Sequence, residues 1–118
     1  MDELLDRLVE RLDVDREVAA KAVGIILAFL VEEGPSDKVR ALIKTIPGAE
    51  AAVRAAAAEG GTGMSGITGV GSRLMAAGIG FAQMQDAAQE FVGFAGEKVG
   101  KETVHEIAGS IPGMGQFV

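Results

Sequence analysis

Ala22-Val23-Gly24-Ile25-Ile26-Leu27-Ala28-Phe29-Leu30-Val31 is the longest apolar run in the chain. From Gly24 to Val31 no side chain is polar, so a helix built from it has no face to offer water. Ten residues make about half a membrane span. The run therefore predicts a helix at the centre of a packed core. Asp15 stands where an N-cap would accept an orphan backbone N–H. Gly34-Pro35 stops the helix just after Glu33.

Helical spacing continues outward on both sides. Leu4, Leu5, Leu8, Val9 and Leu12 form one stripe, with Glu3, Asp6, Arg7, Glu10 and Arg11 on the other face. Val39, Leu42, Ile43 and Ile46 form another, which ends at Ile46-Pro47-Gly48. Ala49 to Glu59 is alanine-rich and has the highest helix propensity in the chain. Six glycines then fall between Gly60 and Gly71, which reads as a flexible linker or an irregular loop. A short helix is expected to resume near Ser72 and to end at Gly78-Ile79-Gly80. A long one runs from about Ala82 to Lys98, with Met84, Ala87, Ala88, Phe91, Val92 and Ala95 on its apolar side. A last one carries Val104, Ile107, Ala108 and Ile111. No window alternates apolar and polar residues for long, so the fold class is all-α.

The chain overlays itself at a shift of 65 residues. Ala22 falls on Ala87, Phe29 on Phe94, Val39 on Val104, and Ile46-Pro47-Gly48 on Ile111-Pro112-Gly113. The expected architecture is a single domain, 1–118, forming a helical bundle of two short-long-short repeats related by a pseudo-two-fold axis. Repeat one is about 1–48, repeat two about 72–118. The alanine helix and the Gly-rich loop, 49–71, join them. The two long helices are expected to cross near the axis, with Phe29 and Phe94 in equivalent sites.

Two Ile-Pro-Gly stops separated by a glycine-rich linker give the chain a resemblance. It resembles small bacterial all-helical domains of unknown function, the VcgC/VcgE-like group among them. The resemblance covers most of the chain and rests on Ile46-Pro47-Gly48, the Gly60–Gly71 linker and Ile111-Pro112-Gly113. It implies an all-helical fold and brings no catalytic residue with it. The acidic start, Met1-Asp2-Glu3, differs from an exported member in having no basic, apolar leader.

Composition narrows the chemistry. The chain of 118 residues has no Cys, one His and a formal charge of -6. A disulfide, a thiolate zinc site and a cysteine nucleophile are excluded. An acidic surface repels phosphate backbones and anionic lipid, so no nucleic acid and no membrane partner is expected. The expected compartment is the cytoplasm. Charge is uneven: residues 1–59 carry twelve acids and eight bases, residues 60–118 five and three. Fourteen of the 17 glycines lie in that second, charge-poor half.

Each motif has a plain structural reading. Gly61-Thr62-Gly63-Met64-Ser65-Gly66 matches a dinucleotide fingerprint but lacks the strand that must lead into it. Glu102-x-x-His105 is half of a di-iron site whose other half needs a second histidine. Asp13-x-Asp15 lacks the further oxygens of a Ca²⁺ loop. No catalytic residue, metal ligand or cofactor is expected. Two functions fit. The first is a non-enzymatic module that self-associates, or meets another protein, through its charge-poor half. Phe91, Gly93, Phe94, Gly96, Gly100, Phe117 and Val118 are the expected interface, the glycines admitting a helix at close range. The second is a binder of a small apolar ligand between the long helices, lined by Phe29, Met75, Met84, Phe91 and Phe94.

Overall fold

A computed structural model describes residues 2–34, 36–58 and 66–110. They form seven helices and, among the described residues, no strand. In order these are α1 (Asp2–Leu12), α2 (Arg16–Glu33), α3 (Ser36–Thr45), α4 (Ala49–Ala58), α5 (Gly66–Ala77), α6 (Phe81–Val99) and α7 (Lys101–Gly109).

The apolar run lies where its composition requires. Every residue from Ala22 to Leu30 is buried, and α2 is the axis of the core; the last residue of the run, Val31, is 47% exposed and departs from the expectation. Among the described residues the buried set contains no polar or charged side chain. Asp15 takes the extended N-cap conformation of α2, but its carboxylate makes no cap hydrogen bond. Among the helices, α4 lies closest against α2. Alanines and one glycine set that distance: a Cβ on Gly24 would stand 2.7 Å from the Ala52 carbonyl oxygen. The alanine helix is therefore a close-packed wall of the core.

The boundary of α5 corrects the expected linker. The helix starts at Gly66, six residues before Ser72, and takes in Gly66, Gly69 and Gly71. Glycine costs about 1 kcal/mol per helical position relative to alanine. Packing of α5 along α2, with Leu74 buried, outweighs that cost. Residues 59–65 and 111–118, with the rest of the linker and the second Ile-Pro-Gly stop, lie outside the described residues.

Shifted by 65, α1, α2 and α3 fall on α5, α6 and α7 to within one residue at every end. Ala22 and Ala87, Phe29 and Phe94, Val39 and Val104, and Leu42 and Ile107 are all buried. The packing exchanges partners between the halves: α1 lies against α6, and α5 against α2. Backbone contact between the two long helices is slight. α2 packs closely on α4 and α5, and α6 on α1 and α7. Between α2 and α6, Leu30 and Phe91 border a common cavity with α3 and α7.

Candidate functional site

Helix α6 has two faces that share few properties. Ala87, Phe91, Phe94 and Ala95 point into the core. The Phe94 ring has the Arg7 guanidinium 5.6 Å and the Lys98 ammonium 5.2 Å from its centroid, close enough for cation–π attraction. Residues two apart on a helix do not share a face. Gly93 and Gly96, two positions from Phe91 and Phe94, accordingly face away from the core, Gly93 exposed and Gly96 half-buried. Phe91 and Phe94 are thus removed from the expected interface by burial in their own chain. Gly93, Gly96 and Gly100 remain at or near the surface. Phe117 and Val118 lie outside the described residues.

The outer face of α6 is an uncharged strip. Ala82, Gln85, Gln89, Gly93 and Gly96 follow one another at three- and four-residue spacing. Phe81, the first residue of α6, is 75% exposed beside them, and Met75, in the last turn of α5, is 60% exposed. Residues 74–85 include no charged side chain.

The acids of α6 are gathered on its other flank, against α1. Arg7 donates to Glu97 at 2.8 and 3.1 Å. Arg11 donates to Glu90 at 2.7 Å, to Asp86 at 3.2 Å and to the Gln89 side-chain oxygen at 2.8 Å. The hydrogen bond from Arg7 holds the Glu97 carboxyl below its ordinary value, and the same bond raises the Arg7 guanidinium. Gln83 fixes the start of α6, accepting the Gly80 N–H at 2.7 Å and donating to the Leu12 carbonyl at 2.8 Å.

The glycines of the strip differ from the others. Gly100 has φ +92° and needs to be glycine for the turn into α7. Gly93 has no atom within 4 Å of where a Cβ would sit, and at Gly96 the nearest is Lys101 Cγ at 3.6 Å, an ordinary contact. Among the described residues nothing requires either position to lack a side chain. The shift of 65 places Gly24 on Gln89 and Ala28 on Gly93. On α2 the Gly24 position is covered by α4; on α6 the matching face carries no helix among the described residues.

The five residues of the expected apolar pocket do not line one cavity among the described residues. Phe29 and Phe94 are core residues, Met84 is partly buried, and Met75 is out in solvent. The cavity beside Phe91 is lined by Leu30, Leu42, Val92, Ala95, Val104 and Ile107 and measures about 10 Å³, the room of one water at most. His105 and Glu102 are both exposed, and no cluster of three potential metal ligands occurs among the described residues. No described helix is long and apolar enough to cross a membrane. Comparison with family models, curated proteins and solved structures finds no match to the chain.

Proposed function

We propose that the chain is a non-enzymatic interaction module that self-associates through the outer face of α6. Gly93 and Gly96 carry the proposal. Each costs an exposed helix about 1 kcal/mol relative to alanine. Neither cost is offset by a contact among the described residues. A second helix backbone at close range is the environment in which a missing side chain is an advantage, as Gly24 against Ala52 illustrates within this chain.

An uncharged strip is where a second copy of this acidic chain, of net charge -6, meets least repulsion. Pairing with Arg7 and Arg11 holds the α6 acids on the α1 side of the strip, and Arg11 itself reaches the strip's edge at Gln89. A two-fold contact would set strip on strip, with the small residues admitting an axis separation near the short end of about 8–10 Å. Burial of Phe81 would add about 1.5–3 kcal/mol per ring. Under the same proposal the two halves are copies of one short-long-short unit. The first copy covers its long helix with α4, and the second covers its own with another molecule.

The test is light scattering of the wild type beside Phe81→Asp and Gly93→Leu. The wild type should form dimers as concentration rises, and both variants should stay monomeric with unchanged helicity. A wild type that stays monomeric throughout, or variants that associate as well as it does, would overturn the proposal.

A further inference from the structure

Helices α3 and α4 enclose an open groove of about 330 Å³, lined by Arg40, Ile43, Lys44, Glu50, Val53 and Arg54. Its charge is opposite to that of the molecule. Between residues 36 and 58 four bases face two acids, in a chain of net charge -6. Most arginines elsewhere are committed: Arg7, Arg11 and Arg16 each bond to carboxylates. Lys38, next to the groove, pairs with Glu106 on α7. Arg40 and Lys44, one helical turn apart, have no carboxylate within ion-pair distance among the described residues. Across the groove, Arg54 reaches Glu50 only at 3.8 Å, with both side chains well exposed. Ile43 and Val53, half-buried, supply an apolar seam between these charges.

We infer that the groove docks an amphipathic acidic helix of a partner protein. Apolar residues of that helix would lie on Ile43 and Val53. Carboxylates spaced one turn apart would meet Arg40 and Lys44, whose own spacing is one turn. Charge complementarity selects the occupant: the field of the rest of the chain repels anions, so cations left unpaired here create a local exception. Glu50 opposes a purely acidic ligand at one point and sets the direction in which a helix with a single basic residue lies. This surface is separate from the α6 strip and binds a different partner.

The probe is a labelled amphipathic peptide of about 18 residues, five helical turns, with leucine on one face and glutamate on its flanks. Its basic counterpart carries lysine for glutamate, and a permuted acidic peptide has the same composition without the apolar face. Fluorescence anisotropy should show the acidic amphipathic peptide binding at least about tenfold more tightly than either control. Arg40→Glu with Lys44→Glu should lower its affinity by at least about tenfold, and added salt should weaken it. Both substitutions are on exposed side chains, and circular dichroism checks that the fold is kept. Gly93→Leu should leave peptide binding unchanged, so self-association and docking fail separately. No binding of the acidic peptide overturns the inference, as does equal binding of the permuted peptide, which would mean ion attraction without a groove. Binding of anionic phosphatidylglycerol vesicles with the peptide ignored overturns it as well.

Discussion

Gly93→Ala should make the single chain more stable and its self-association weaker. The gain follows from the geometry. Gly93 is in the interior of α6, exposed, and a Cβ there meets nothing within 4 Å. Alanine then recovers the helix propensity difference of about 1 kcal/mol without a clash. For a chain of this length that corresponds to a rise in Tm of about 3–6 °C. Gly96→Ala should behave in the same way, since its Cβ would lie at ordinary contact distance from Lys101 Cγ, 3.6 Å. The loss follows from the proposed contact. A methyl group in a close helix crossing costs about 1–3 kcal/mol, and in a two-fold interface the substitution occurs on both sides. Urea melts by circular dichroism should be run at dilute protein, because association adds stability by mass action. Sedimentation at high concentration then measures the dimer. A destabilised variant would show that Gly93 faces an obstacle within its own chain. A stabilised variant that dimerises as well as the wild type would move the interface off α6.

Gly24→Ala should do the reverse: its Cβ falls 2.7 Å from the Ala52 carbonyl oxygen, and the overpacking cost of about 1–3 kcal/mol exceeds or cancels the propensity gain. A higher urea midpoint would mean that α4 sits further from α2. Phe29→Ala and Phe94→Ala should each cost about 3–5 kcal/mol, since both rings are buried; a large loss at one and none at the other would dismiss their equivalence. Acid should loosen α1 from α6. The depressed Glu97 carboxyl contributes stability that is present above its unfolded value of 4.5 and is lost as pH falls through its lower folded value. Glu97→Gln should therefore flatten part of the acid limb of a stability–pH curve, and an unchanged limb would remove Glu97 from that role.

The sequence discloses the centre of this fold more readily than its edges. Ala22 to Leu30 can be read because a helix apolar on all sides has one stable location, and the buried middle of α2 occupies it. The start of α5 escapes because propensity at Gly66, Gly69 and Gly71 is local, while the packing against α2 that overrides it is not. The partnership of α2 with α4 escapes for a similar reason: Gly24 announces a close approach without saying what approaches. For the α6 strip the signal was present. Phe91 and Gly93, like Phe94 and Gly96, are two residues apart, and helical geometry puts such pairs on different faces. Phe91 and Phe94 belong to the core face, Gly93 and Gly96 to the outer one. Phe81 escapes a periodicity reading because it is the first residue of α6, with no preceding turn to compare. The α3–α4 groove depends on tertiary structure: Lys38 and Arg40 are near neighbours in sequence, and the fold pairs Lys38 with Glu106 while Arg40 meets no carboxylate among the described residues.

Self-association through the α6 strip is tested most directly by cysteine cross-linking, because the chain has no cysteine of its own. Single cysteines at Ala82, Gln85, Gln89, Gly93 and Gly96 scan the strip, with Lys21 on α2 and Arg54 on α4 as exposed controls. A disulfide requires Cα atoms about 4.4–6.8 Å apart, so oxidation reports contact between like residues across a two-fold axis. The account predicts a covalent dimer of twice the 12.1 kDa chain at one or more strip positions, and monomer at both controls. Strip cysteines that cross-link no faster than the controls would contradict it.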